Sequence, residues 1–239
     1  MDKMIIFSFT GEGTQLNRKL NQFCKRNEIP VESYSVERYA ENEILPLPQK
    51  SQEFIRENWG KSGFIFIGAA GIAVRWIAPF VKDKFTDSPV LVMDEKGKYV
   101  IPILSGHIGG AVELAEQIGM WIEAEVVHTT ATDVQQKFAV DVFARKYHLL
   151  FKDRKKAKEI SAAVLEGEKI ACLIEDQDII IEGKIPKELI ICRSREVWEP
   201  YPYKVKLESF REKRTEKAEE PGKMKNPDAE KEGFLLLRT

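Results

Sequence analysis

The chain has 239 residues, 43% of them apolar and 31% charged, so it can bury a sizeable core and does not have the composition of a disordered protein. Its 37 basic and 38 acidic side chains nearly cancel, which gives no electrostatic reason to expect nucleic-acid binding. Three widely spaced cysteines without a C-x-x-C pair exclude a disulfide framework and a zinc knuckle, and no apolar run approaches the roughly 18 residues of a membrane span. These features predict a cytoplasmic protein with neither a membrane nor a nucleic-acid partner.

The first half of the chain alternates predicted strands with predicted helices. Residues 4–9 form an apolar run of strand length, and Gly63–Ile67 is continuously apolar, as expected of a strand covered on both faces. Two further strands, Val90–Met93 and Tyr99–Leu104, flank a turn-like segment at 94–97 that indicates a hairpin or a tight connection. This alternation predicts an α/β fold with an open, mostly parallel sheet flanked by helices, whose loops lie at its carboxyl edge.

The second half has a different composition. Short apolar segments of strand length occur at 169–174, 179–181 and 189–192. We therefore predict an amino-terminal α/β domain over residues 1–135, followed by a smaller α+β domain over 136–203. Residues 204–239 are rich in both signs of charge and end in an apolar run, which predicts a charged linker and an apolar terminal segment.

The segment LSGHIGGA at residues 104–111 is the most informative motif of the chain. It follows a predicted strand and precedes a predicted helix, so its backbone N–H groups can hold an anion next to a histidine that can transfer a proton. Ser105 lacks the glycine two positions earlier that a G-x-S-x-G nucleophile elbow requires, which disfavours a Ser-His-Asp esterase. Whether His107 is catalytic, or the loop is only a tight turn that needs glycine, stays open at this point.

Three other segments have a similar strand–polar loop–helix pattern, namely TGEGTQ (10–15), GAAGIAVR (68–75) and TTATD (129–133). Arg75 lies one turn into its helix, from which it can reach back to a carboxylate at the helix N-terminus. Asp133 can either bind a ligand or cap the following helix. Neither the Rossmann nor the Walker fingerprint is present, which argues against the alternative of a nucleotide-binding protein. The four loops predict one shared ligand crevice.

The order of these motifs resembles the CbiG family of cobalamin biosynthesis, the cobalt-precorrin-5A hydrolases. G-x-x-G-I-A-V-R, I-A-P, V-x-D-E-x-G, L-S-G-H-x-G-G-A and T-T-A-T-D occur in that family's order over residues 62–135. The resemblance implies a hydrolase acting on a carbon–carbon bond in the anaerobic pathway to vitamin B12. Such an enzyme opens the δ-lactone of cobalt-precorrin-5A and releases acetaldehyde to give cobalt-precorrin-5B. Cobalt arrives with the substrate, so no separate cofactor or protein-bound metal is expected.

For this reaction we hypothesise that His107 acts as general base, with Ser105 in the catalytic group, and that the N–H groups of the loop glycines stabilise an oxyanion. The residues expected to bind the substrate are Gly68, Gly71, Arg75, Gly106, Gly109, Gly110, Thr129, Thr130 and Asp133. Full-length family members continue into a carboxyl-terminal domain, so the resemblance implies either that a separate chain supplies this domain or that this is a split or truncated form. The expected partners are that separate chain or other enzymes of the cobalamin pathway. A non-catalytic corrinoid-binding protein or subunit is therefore the alternative.

Overall fold

The computed structural model describes residues 1–147, 149–151, 153–175, 181, 185–208 and 235–238. The chain divides into two compact units, Met1–Thr129 and Thr130–Thr239, so the boundary precedes the predicted one at residue 135. Residues 179 and 180 of the predicted strand at 179–181, and most of the predicted charged linker, lie outside the described residues.

The first unit is built on a seven-stranded sheet. Its strands are β1 (Met4–Ser8), β2 (Val31–Ser35), β3 (Ile44–Pro46), β4 (Gly63–Ile67), β5 (Val90–Met93), β6 (Tyr99–Leu104) and β7 (Glu125–Val126). Its helices are α1 (Gly11–Arg26), α2 (Ser51–Asn58), α3 (Ala70–Ile77) and α4 (Ala111–Ile122), with 3₁₀ turns at Glu37–Tyr39 and Ala78–Phe80. The strand order is β3-β2-β1-β4-β5-β6-β7, and every neighbouring pair is parallel except β5–β6. The prediction of a mostly parallel α/β sheet is confirmed.

Helices cover both faces of this sheet and bury its central strands. On one face, α1 and α4 contribute the buried side chains Leu16, Leu20, Phe23, Leu114 and Ile118. On the other face, α2 and α3 contribute Ile55, Ala73 and Ile77, packed among the aromatic rings of β1 and β4. All five residues of β4 are buried, in agreement with its continuous apolar sequence.

The antiparallel pairing of β5 with β6 reverses the direction of the last two strands. β6 therefore ends at the edge of the sheet where β1 to β5 begin, which we name the amino edge. The two-residue β7 runs parallel to β6 but pairs only with its first two residues, so β7 ends level with Val100, beside the carboxyl end of β5. The loops that follow β1 and β4 leave the sheet at the opposite, carboxyl edge. The prediction of one crevice shared by all four loops is therefore wrong, since the short turn after Met93 forms a hairpin instead of a crossover.

The second unit contains a smaller sheet in the order β10-β9-β11-β12-β8. Its strands are β8 (Leu150–Phe151), β9 (Ile170–Ile174), β10 (Leu189–Cys192), β11 (Lys204–Glu208) and β12 (Leu235–Arg238). Its helices are α5 (Ala131–Val134), α6 (Val140–Lys146), α7 (Arg154–Leu165) and α8 (Arg195–Trp198). Neighbouring strands are parallel except for the antiparallel pair β12–β8.

The predicted linker begins too early, because its first five residues form β11 inside this sheet. Val205 and Leu207 are buried, whereas Lys204 and Lys206 form ion pairs with glutamates. This alternation is the period-two pattern of a strand, and the surrounding charged residues conceal it in the sequence. Among the helices of the described ranges, none combines the length and the hydrophobicity of a transmembrane span.

Candidate functional site

Residues 105–110, which we name the histidine loop, join β6 to α4 at the amino edge. The loop begins with Ser105, whose φ of +52° lies in the left-handed region and whose side chain is buried. The Ser105 hydroxyl donates a hydrogen bond of 2.8 Å to the backbone carbonyl of Asp87. This hydroxyl therefore contacts the neighbouring loop, which does not support Ser105 as a reacting group.

The glycines give the histidine loop its compact shape. A Cβ atom on Gly109 would lie 2.6 Å from the Cβ of Ser105 and 2.7 Å from its carbonyl oxygen, so only glycine fits there. Gly110 has a φ of +87° and precedes the first residue of α4. These two positions need glycine for different reasons, one for close approach and one for backbone conformation.

Backbone hydrogen bonds decide which N–H groups of this region are available to a ligand. The carbonyls of Ser105 and Gly106 accept hydrogen bonds from Ala111 and Val112, so the loop itself satisfies the first two N–H groups of α4. Among the described residues, no backbone carbonyl accepts the N–H groups of Gly106, Gly109 or Gly110. The loop amides, and not the first two N–H groups of α4, are therefore the donors that an anionic ligand could use here.

The polar residues after β7 divide between the two units. His128 and Thr129 follow β7 at the end of the first unit, His128 half-buried and Thr129 exposed. Thr130 and Asp133 belong to the second unit. Asp133 lies within α5, which begins at Ala131, so the expectation that it caps the following helix is wrong. The threonine-rich segment itself forms the first turn, and Thr130 takes the N-cap position.

Gly68, Gly71 and Arg75 lie at the carboxyl edge, where α3 begins after β4. The strand order changes direction between β1 and β4, the position at which doubly wound sheets commonly bind ligands. The Arg75 guanidinium reaches back along α3, as the sequence predicts, and donates a hydrogen bond of 3.3 Å to the carbonyl of Gly71.

The neighbouring loop after β1 already holds an anion from the chain itself. The Glu95 carboxylate accepts a 2.7 Å hydrogen bond from the Thr10 hydroxyl, which in turn accepts the N–H of Gly13 in the first turn of α1. A carboxylate at this N-terminus is favourable, and it takes the place that a ligand anion would occupy. The structure therefore does not support the weak prediction that residues 10–15 bind a ligand, because Glu95 already occupies the anion position of this loop.

The predicted site residues therefore fall into three sets. The amino-edge set is Ser105, Gly106, His107, Gly109 and Gly110, and the carboxyl-edge set is Gly68, Gly71 and Arg75. The third set is Thr129, at the end of the first unit, with Thr130 and Asp133 of the second unit. Along β4 alone, four residue steps separate the two edges by about 13 Å. The structure does not bring the first two sets together, and it adds Asp87 as a partner of the histidine loop that sequence reasoning did not assign.

Comparisons with known proteins agree with this division of the chain. The family model for the amino-terminal domain of cobalamin synthesis protein G matches residues 53–133, and the model for the central region of cobalamin biosynthesis matches residues 138–188. A cobalt-precorrin-5A hydrolase from Priestia megaterium is 33% identical over 172 residues, covering 71% of this chain and 46% of that protein. One from Salmonella typhimurium is 35% identical over 157 residues, covering 65% of this chain and 43% of that protein.

The chain thus spans less than half the length of these curated relatives. Among solved structures, a cobalamin biosynthesis protein G homologue from Sulfolobus solfataricus matches with a TM-score of 0.54 at 20% identity. That match covers 99% of this chain and 60% of the other, and at this identity it supports the fold alone.

Proposed function

This chain belongs to the CbiG family, carrying its amino-terminal and central domains, and from that premise we propose that it performs the cobalt-precorrin-5A hydrolase reaction. The observation that carries the proposal is the similarity to two proteins named cobalt-precorrin-5A hydrolase, at 33% and 35% identity over most of this chain. The amino-terminal family model also spans the whole histidine loop. The substrate is a cobalt-containing corrinoid, and the cobalt belongs to that substrate.

In the proposed reaction, water attacks the lactone carbonyl while His107 accepts its proton. The N–H groups of Gly106, Gly109 and Gly110 stabilise the resulting oxyanion. Collapse of this intermediate breaks the ring C–O bond and leaves a carboxyl group and an alkoxide, while His107 keeps the proton. The alkoxide oxygen forms the carbonyl of acetaldehyde as the adjacent carbon–carbon bond breaks, and the proton held by His107 passes to the carbon left behind.

The amino edge is the reaction site in this proposal, because it holds both the proton-transfer group and the loop amides. Thr129 is exposed in the segment after β7, and its hydroxyl is suited to a peripheral carboxylate. Gly68, Gly71 and Arg75 reach the same macrocycle only if it extends along the sheet, so their role in binding stays a prediction. The roles of Thr130 and Asp133 stay predictions as well.

The test is to incubate the chain with cobalt-precorrin-5A under anaerobic conditions and to measure acetaldehyde and product mass. We expect one acetaldehyde per substrate consumed. Binding of the corrinoid without release of acetaldehyde would favour the alternative, a non-catalytic binding protein or subunit. This alternative is motivated by the coverage, since the chain spans less than half the length of these relatives. Activity that arises only after addition of a relative's carboxyl-terminal domain would assign this chain as a subunit.

A further inference from the structure

The histidine loop lies against a second loop, residues 81–88, which we name the aspartate loop. Asp87 is only 7% exposed, and its carboxylate holds this loop closed. Oδ2 accepts the N–H groups of Lys82 at 2.9 Å and Asp83 at 3.0 Å, while Oδ1 accepts the indole N–H of Trp59 at 3.3 Å. A buried carboxylate that accepts several N–H groups fixes the backbone that supplies them.

The aspartate loop is anchored to the core through the residues that precede β4. The Trp59 ring stacks on Phe64, with centroids 5.8 Å apart, and also contacts Phe80. The N–H of Gly60 donates a 2.8 Å hydrogen bond to the hydroxyl of Ser88. The loop therefore has a fixed position relative to the buried centre of the first unit.

The backbone carbonyl of Asp87 accepts the hydrogen bond from the Ser105 hydroxyl, and this bond joins the aspartate loop to the histidine loop. Ser105 has a left-handed backbone, which a serine keeps only where its surroundings hold it. Gly109 packs against Ser105 so closely that a Cβ atom on it would overlap that residue, and the same Cβ would lie 3.5 Å from the Cβ of Pro89, directly after the aspartate loop. His107 is two residues from Ser105, so a shift of this hydrogen bond changes where the imidazole lies.

We propose that Asp87 and Ser105 are positioning residues, which together set the direction in which His107 faces the substrate. The Asp87 carboxylate fixes the aspartate loop, and the Asp87 carbonyl in turn fixes Ser105 at the base of the histidine loop. Neither side chain touches the reacting atoms. This inference rests on the proposed function, because it assigns these residues a role in the reaction at His107.

The first experiment compares Asp87→Asn with the matched control Asp94→Asn. Asp94 also uses both carboxylate oxygens to accept backbone N–H groups, those of Lys96 and Tyr99, but in the turn at the carboxyl edge. We expect Asp87→Asn to lower kcat for acetaldehyde release about 10- to 100-fold, the effect of an error of about 1 Å in position, with little change in KM. Asp94→Asn should keep the wild-type kcat.

Because a smaller folded fraction also lowers kcat, the second readout is the NMR signal of the His107 ring. The chain has three histidines, and His107→Gln identifies the signal by its loss. We expect Asp87→Asn to shift this signal and Asp94→Asn to leave it in place, with both variants folded by circular dichroism. Equal kcat and an unchanged His107 signal in Asp87→Asn would overturn the proposal.

Ser105→Gly and Ser105→Ala provide the second pair, and they decide the question if Asp87→Asn does not fold. Both remove the hydroxyl, but glycine suits the left-handed backbone and alanine does not. A positioning role predicts partial activity in both variants, with Ser105→Gly the better folded, and a shifted His107 signal. Loss of activity as deep as in His107→Gln, with the His107 signal unmoved, would instead make Ser105 a reacting group.

These outcomes are separable from failure of the proposed function. If the wild-type chain releases no acetaldehyde, the proposed hydrolase activity of this chain fails, and the His107 signal in Asp87→Asn and Ser105→Gly still tests the contact. If the wild type is active and these variants match it in kcat and NMR, the positioning proposal alone is wrong.

Discussion

At the scale of single residues, the histidine loop depends most strictly on Gly109. We expect Gly109→Ala to lower the free energy of unfolding by about 1–3 kcal/mol, because its Cβ overlaps the Cβ and carbonyl of Ser105. Gly71→Ala is the matched control, since its Cβ meets only the mobile end of Arg75, at 3.3 Å, in the first turn of a helix. That change should be neutral or stabilise by up to about 1 kcal/mol. Urea titration of both variants measures the difference, and equal losses would contradict the geometry of the loop.

The sequence identifies the position of the histidine loop but not the partners of its side chains. The hydrogen bond from Ser105 to Asp87 joins residues 18 positions apart, and no spacing rule connects them. The left-handed backbone of Ser105 also has no signal in the sequence, because serine has no special preference for that region. A hydroxyl predicted to take part in chemistry is thus found in a contact between two loops.

At the scale of elements, the direction of β6 places the two best ligand loops at opposite edges of the sheet. Spin labels at Ala70→Cys and Ile108→Cys should therefore be farther apart than labels at Ala70→Cys and Lys96→Cys, which share the carboxyl edge. The difference should approach the length of β4, about 13 Å. Double electron–electron resonance measures both distances. Equal distances would restore the single shared crevice that the loop pattern predicts.

Hydrophobic runs locate these strands well, but they do not give strand direction. The alternation of strands and helices favours parallel neighbours, and it holds for β1 to β5. The four-residue turn at 94–97 is too short for a parallel crossover, so it forces β6 to run antiparallel to β5. The sequence indicates a hairpin or a tight connection at this turn. That the turn moves the loop after β6 to the amino edge follows only from the strand pairing in the assembled sheet.

At the scale of the whole molecule, the three cysteines report on the cores of both units. Cys24 lies in the first unit and Cys172 and Cys192 in the second, all three buried and free. Burial raises the pKa of the Cys24 thiol to about 11 and that of Cys172 to about 12, so these thiols stay protonated at pH 8. Because the thiolate is the reactive form, a disulfide reagent should label none of the three quickly in the native protein and all three in guanidinium. A fast-reacting thiol would contradict the packing of the unit that contains it.

Composition predicts two structured parts and a charged segment after them, and the structure changes where they meet. The first unit ends at Thr129, since the threonine-rich segment begins a helix of the second unit. Lys204–Glu208 joins the second sheet because its alternate residues are apolar, a local pattern that a count of charges over the whole segment hides.

The most direct test of the account compares acetaldehyde release by His107→Gln and His128→Gln. His107 follows β6 and His128 follows the neighbouring strand β7, both in the first unit, so a general effect of replacing a histidine in this unit should be common to both variants. If His107 is the general base, His107→Gln should lower kcat about 10²- to 10⁴-fold, and His128→Gln should remain within about threefold of the wild type. Wild-type turnover by His107→Gln would contradict the central claim that the histidine loop is the site of the reaction.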